Sequence, residues 1–254
     1  MSAPRIFDSA ALAKHRARAG RIAGDRFLAR EAEESLDLRI AATNRRFESV
    51  LRVDALDADE TVPGEDAGFD LVTSTLALHA VNDLPGALVQ IRRKLKPDGL
   101  FLGALFGGET LNELRDAFAT AEIETTGGVS PRVAPFADIR DLGGLLQRAG
   151  FALPVADVER TTVNYRDFFS LPRDLRAHGE TNALMQRSRK FLSRETLAAL
   201  LAGYQPVRAT FDIVYLTGWA PHESQQKPLK PGSAKTRLAD ALGAVERSAG
   251  EKAG

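Results

Sequence analysis

The sequence predicts an α/β domain built on a doubly wound, mostly parallel sheet. Two observations carry that expectation. Phe69–Thr75 (FDLVTST) and residues 99–105 (GLFLGAL) are short, almost uninterrupted runs of apolar, β-prone residues, the pattern of strands covered on both faces. Between them Leu84, Ala87, Leu88, Ile91 and Leu95 fall on one helical face. Two such strands joined by one helix form a right-handed crossover between parallel neighbours.

The remaining elements follow in chain order. Residues 10–18 and 27–44 are rich in Ala, Leu, Arg and Glu and predict helices, and residues 47–53 (FESVLRV) predict a short buried strand. Residues 54–70 hold seven acidic side chains and no basic one, which predicts a solvated loop. The crossover helix has its own punctuation. Asn82 or Asp83 offers an N-cap and Pro85 sits in the first turn, where its missing N–H costs nothing. Lys94 and Lys96 suit the negative end of the dipole, and Pro97 and Gly99 stop the helix. Further helices are expected at 110–121 and 136–150, the second with Leu142, Leu145, Leu146 and Ala149 on one stripe. Residues 209–216 (ATFDIVYL) alternate Phe211, Ile213 and Tyr215 with Asp212 and Val214 and are expected to close the sheet. From Gln226 the chain turns Lys-, Pro-, Gly- and Ser-rich. The expected division is an N-terminal helical segment (1–46), the sheet domain (47–225) and a flexible tail (226–254).

Composition narrows the function. A chain of 254 residues and 27.5 kDa buries about 70% of its extended surface without staples. With no Cys and four scattered His, disulfides, thiolate metal sites and a Cys nucleophile are excluded, and no metal is expected. Thirty-four basic residues balance 34 acidic ones, without the basic surplus by which nucleic-acid binders displace counterions. No apolar run reaches the ~18 residues of a spanning helix, and the N-terminus lacks a secretory h-region. Seven Lys/Arg within residues 1–30 suggest a transit peptide, but Asp8, Asp25 and the Glu31, Glu33, Glu34 cluster break that pattern. The expectation is a cytoplasmic protein with no integral membrane segment.

Ligands of open parallel sheets sit beyond the carboxyl ends of the strands. That rule nominates residues 57–61, 73–83 and 105–110. Carboxylates in the first accept hydrogen bonds from ribose hydroxyls or an exocyclic amine. In the second, His79 either faces the crevice or bonds a loop carbonyl. In the third, Gly107 and Gly108 either let a ligand approach the backbone or simply form a helix-entry turn. Gly127–Arg132, Gly179–Asn182 and Trp219–Gln225 are polar breaks that punctuate the chain or line a cleft. No G-x-S-x-G elbow, phosphate-binding P-loop or H-E-x-x-H helix is present.

The run FDLVTSTLALHAVNDLPGALVQIRRKLKPDGLFLGALFGGETLNELRDAF, residues 69–118, resembles the fourth-to-fifth-strand region of class I S-adenosylmethionine-dependent methyltransferases. More narrowly, the chain resembles the complex I assembly factor 5 family and its bacterial relatives. GGVSPRVAPF (127–136), LLQRAGF (145–151), GETNA (179–183) and GWAPHESQQKP (218–228) extend the likeness to nearly the whole chain. The resemblance implies a seven-stranded Rossmann-type domain that binds S-adenosylmethionine. It implies a protein substrate, with a respiratory complex I subunit as partner and a location peripheral to the inner membrane through it. Carried over residue by residue, Asp59 and Glu60 match the acidic pair beside the adenine, and Thr75, Leu76 and His79 border the methionine end. His79 is the candidate base.

One departure is marked. The superfamily's D-x-G-x-G-x-G turn after the first strand and the acid closing the second are both missing, as though the usual first helix and second strand were deleted. The turn glycines admit the ligand and the acid holds the ribose diol, so losing bonds of ~1.5–3 kcal/mol each weakens binding on the order of a thousandfold. Two functions are therefore carried forward. One is a methyltransferase-type enzyme acting on a protein side chain. The other is a non-catalytic assembly or scaffold protein that has lost its cofactor.

Overall fold

In the computed structural model, residues 5–22 and 24–226 are described, and the apolar pattern resolves there into seven α-helices and five strands. In chain order these are α1 (Ser9–Ala19), α2 (Phe27–Ala42), β1 (Val50–Arg52), β2 (Phe69–Thr75), a 3₁₀ turn at Leu78–Ala80, α3 (Leu84–Lys94), β3 (Leu95–Phe106), α4 (Asn112–Thr126), α5 (Ile139–Arg148), β4 (Ala152–Asn164), α6 (Ser170–His178), α7 (Arg194–Gly203) and β5 (Arg208–Trp219). The tail expected from residue 226 lies outside the described residues apart from Gln226 itself.

The strand order is β1-β2-β3-β5-β4. β1, β2 and β3 pair in parallel, with Val50 opposite Leu71 and Thr73 opposite Leu102, whereas β5 runs antiparallel to both β3 and β4. Four strands thus share one direction, as a mostly parallel sheet requires. Two expectations need correction. The sheet has five strands among the described residues rather than the seven of the standard domain; residues 53–68, which join β1 to β2 without a helix or strand, account for one of the two that are absent. β5 does not close the sheet; it lies inside it, and β4 is the edge.

β3 shows why the central strands read as continuous apolar runs. Leu100, Leu102, Ala104 and Phe106 enter a core shared with α2, α4 and α7, while Phe101 and Leu105 enter the opposite core with α3 and α5. Each fully buried Leu or Phe contributes about 1.5–3 kcal/mol, and only a strand covered on both faces collects it at every position. α3 starts as its punctuation predicts: the Asp83 carboxylate accepts the Gly86 N–H, and Pro85 occupies the first turn. The apolar stripe of α5 buries Leu142 and Leu146. In α2, Leu28, Ala32 and Leu36 recur every four residues and pack on the sheet, while Arg39 anchors the helix. Its guanidinium lies 4.3 Å from the Tyr215 ring centroid and grips Asp157 through both terminal nitrogens.

The choice left open at Gly107 is settled by packing. A Cβ there would lie 2.5 Å from Val214 Cγ2, so the glycine lets the end of β3 press against β5. The N-terminal segment straps the domain: Asn82 Oδ1 accepts the Ile6 and Phe7 amides, the Asp8 amide donates to the Ala183 carbonyl, and Phe7 bridges Leu184. The strap brings α1 over two loops, 76–82 and 179–184, where the Arg16 guanidinium donates to the Ala77 carbonyl and His15 bonds the Thr181 carbonyl.

Candidate active site

Two cavities flank the end of β2. The larger, of about 720 Å³, lies over the sheet face formed by Val50 and Arg52 on β1 and Leu71, Thr73 and Thr75 on β2, with Asp54 just past the end of β1 and α2 as its far wall. Alternate residues of a strand point to one face, so these five strand side chains share a side. The open space follows from topology: β1 runs into residues 53–68 with no helix, so among the described residues no crossover helix between β1 and β2 packs on this part of the sheet. A volume of this size falls within the ~300–1,000 Å³ of small-molecule sites.

Charge in the cleft is mixed. Among the described residues, no hydrogen bond or ion pair engages the side chains of Glu33, Asp37, Asp54, Arg26 or Arg52, all of which line it. Thr73 and Thr75 add hydroxyls, and Leu76, in the left-handed region at φ 46°, turns the chain off β2 at the cleft wall. Carboxylates suit a diol and an ammonium group, and guanidinium groups suit a carboxylate.

The smaller cavity, of about 200 Å³, is walled by Phe106, Phe118, Phe136, Phe168 and Phe211. His79, delivered by the 3₁₀ turn after β2, reaches it with a side chain only 3% exposed. Its Nε2 lies 3.0 Å from Glu180 Oε2, whereas Nδ1 is buried without a hydrogen-bond partner. The ring packs 4.9 Å from Phe106 and 6.1 Å from Phe136, centroid to centroid. Burial pushes the Glu180 carboxyl up, but the charge and hydrogen bond of His79, together with Arg16 and His178, outweigh it and hold the group below its ordinary value. Gly179, at φ 83°, caps α6 and turns the chain into Glu180; a Cβ there would meet Arg16 Cγ at 3.3 Å.

Phe106 and Glu180 belong to both cavities, which therefore meet at one wall. The sequence-nominated residues divide accordingly. Thr75 and Leu76 line the cleft, and His79 lines the aromatic cavity beside it. Asp59 and Glu60 line neither. Glu60 is bound to α3: its Oε1 accepts both the backbone N–H and the side-chain amide of Asn82, and its Oε2 accepts the Asp83 N–H. This carboxylate serves the positive end of the helix. Asp59 is solvent-exposed beside it. Sequence reasoning reached Glu180, 101 residues from His79, only as part of the Gly179–Asn182 break and not as the partner of that histidine. Its signal was the polar GETN break, which carries no periodicity to say what it faces.

The fold is an α/β domain with two adjoining cavities beside the end of β2. A family model described as "Methyltransferase domain" matches residues 28–103. The chain is 42% identical over 225 residues to "Arginine-hydroxylase NDUFAF5, mitochondrial" of Danio rerio, covering 84% of this chain and 70% of that protein. It belongs to that family. The protein of the same name in Dictyostelium discoideum is 48% identical over 188 residues, 70% of this chain and 43% of its own length, so the chain spans less than half of that relative. A malonyl-[acyl-carrier protein] O-methyltransferase of Xylella fastidiosa is 38% identical over 168 residues, covering 63% of this chain and 55% of that enzyme. Among the described residues, no helix is long and apolar enough to cross a membrane.

Proposed function

We propose that this chain is a methyltransferase-type enzyme that binds S-adenosylmethionine in the larger cleft and acts on a protein side chain in the assembly of respiratory complex I. The observation that carries the reading is the shared wall of Phe106 and Glu180, which sets a nucleoside-sized cleft against a side-chain-sized pocket. The residues present fit the cofactor. Asp54, Glu33 and Asp37 suit its ribose diol and ammonium, Arg26 or Arg52 its carboxylate, and the rim formed by Thr73, Thr75 and Leu76 its sulfonium end. When bound, the cofactor supplies an electrophilic carbon. The chain supplies position: reacting atoms held about 3–3.5 Å apart provide much of such a rate enhancement. His79, whose side chain lines the phenylalanine pocket, is the candidate base of this reading. Asp59 and Glu60 stand outside the assignment.

The name of the relatives points to arginine as the side chain acted upon. Their mitochondrial designation favours, for this chain, a location at the membrane that carries complex I, reached through the partner. A second reading is a non-catalytic assembly protein, favoured by the missing glycine turn and by the commitment of Glu60 to helix capping.

Isothermal titration calorimetry with S-adenosylhomocysteine decides between them. The enzyme reading predicts a dissociation constant of roughly 10–100 μM, the cleft carboxylates replacing part of the lost grip. No heat at about 5 mM ligand selects the scaffold.

A further inference from the structure

Next to the phenylalanine-walled cavity lies a groove of about 480 Å³. Phe118, Arg132 and Val133 line both, whereas the larger cleft and the groove share no residue, so the three spaces run in the order cleft, pocket, groove. The groove is apolar and its charge has one sign. Phe118 of α4 and the chain from Val129 to Val133 form its walls, with Val129 59% exposed. Arg5, Arg115 and Arg132 line it, and no Asp or Glu does. Arg132 is engaged by Glu122, but among the described residues neither Arg5 nor Arg115 is in an ion pair. Both cations are nevertheless placed. The Arg115 guanidinium donates to the Ala134 carbonyl, and the backbone beside Arg5 is fixed at Ile6, whose N–H donates to Asn82 Oδ1 and whose carbonyl accepts the Met185 N–H. Exposed apolar surface rimmed by charge marks a place where a partner docks.

We propose that this groove docks an extended peptide segment of the protein partner, one that carries apolar side chains between carboxylates. The apolar side chains lie against Phe118, Val129 and Val133, and the carboxylates meet Arg5 and Arg115. A residue of the same segment reaches the phenylalanine cavity across the wall the two spaces share. Shape and charge favour this occupant over two others. A bilayer takes up protruding apolar faces, and this surface is concave. Residues 227–254 of the chain itself hold six basic and three acidic side chains, the wrong sign for an arginine rim. The inference takes from the proposed function only that the partner is a protein, and it serves the enzyme and the scaffold equally.

Fluorescence anisotropy of a labelled peptide tests it on the full chain with no nucleoside present. The probe is the peptide GELRLEG, blocked at both ends, against its charge-reversed counterpart GKLRLKG. The chain is expected to bind the acidic peptide with a dissociation constant on the order of 100 μM and the basic one at least about tenfold more weakly. Arg5→Glu combined with Arg115→Glu is expected to invert that preference, which a mere loss of stability does not do. Val129→Asp, at an exposed position, is expected to weaken the acidic peptide about tenfold. Arg5→Glu alone, on an exposed residue, replaces the double variant if that one does not fold, and is expected to reduce the preference about threefold. No binding of the acidic peptide at about 0.5 mM protein, equal binding of the two peptides, or a preference unaltered in the variants overturns the proposal. So does uptake by phosphatidylglycerol vesicles, or a dimer in sedimentation velocity, that the same substitutions abolish while the peptide stays unbound; the groove then belongs to a membrane or to a second copy. Peptide binding without nucleoside binding keeps the groove and removes the enzyme reading, and nucleoside binding without peptide binding does the reverse.

Discussion

Arg132→Leu is expected to lower the unfolding free energy by about 3–5 kcal/mol, the cost of leaving one member of a buried ion pair alone. Its partner is Glu122, on α4 with a side chain 4% exposed, gripped by Arg132 through Nε and one terminal nitrogen at 2.7 and 2.5 Å. The backbone and hydroxyl of Ser130 complete the cage, so the pair ties loop 127–133 to the helix. The same loop lines the aromatic pocket through Arg132 and Val133. Chemical denaturation measures the loss; for a domain of this size each kcal/mol corresponds to about 2–4 °C in the midpoint of thermal unfolding.

Acid separates this cause from lost packing. Burial pushes the Glu122 carboxyl up, but the Ser130 N–H, the Arg132 guanidinium and the Ser130 hydroxyl outweigh it and leave the group below the 4.5 of a free glutamate. A group lowered on folding stabilises fully above its unfolded value and loses that stabilisation as pH falls through the folded one. The native chain therefore loses this contribution only below about pH 4.5. With the guanidinium gone, the folded value rises from where the ion pair holds it, so Arg132→Leu has less of this stabilisation to lose and the gap to the native protein narrows as pH falls below about 4.5. A gap constant over that range would assign the loss to packing instead.

Thr75→Phe is expected to weaken S-adenosylhomocysteine binding roughly 100-fold, about 2.8 kcal/mol, with little change in stability. Thr75 ends β2 with its side chain on the open cleft, so a ring there fills ligand space rather than core. Thr75→Val keeps the volume and removes only the hydroxyl, and is expected to cost less than about tenfold. Calorimetry on the two variants separates blockage from a lost hydrogen bond. Equal losses in both would mean that the hydroxyl, not the space, is what the ligand uses.

Much of the fold was legible because the centre of the sheet is written redundantly. β2, α3 and β3 each carry a complete signal: apolar runs for strands covered on both faces, a stripe, a cap and a stop for the helix. The acidic stretch after β1 is the loop its charge suggested. β4 escaped notice because it is an edge strand whose burial alternates only weakly, with Leu153, Val155 and Val158 about half exposed. α6 and α7, of 9 and 10 residues, each bury a single leucine, so no apolar stripe like that of α5 marks them.

The site was legible in part for a related reason. His79 and Thr75 follow from the rule that ligands gather at strand ends, which needs only local sequence. Glu180 requires knowing that α6 returns its C-terminus to the end of β2, a tertiary fact. Glu60 shows the opposite hazard. An acid in the right place by resemblance spends its oxygens on three N–H groups around the start of α3, and nothing in its neighbours along the chain distinguishes the two uses.

The central claim is that the uncovered face of β1 and β2 holds the nucleoside. Backbone amide spectra recorded during a titration with S-adenosylhomocysteine test it most directly. Shifts concentrated at Arg52, Asp54, Thr73, Thr75 and Leu76, and abolished in Thr75→Phe, are the predicted result. Shifts confined to the α3 and α5 face, or no shifts at millimolar ligand, would contradict it.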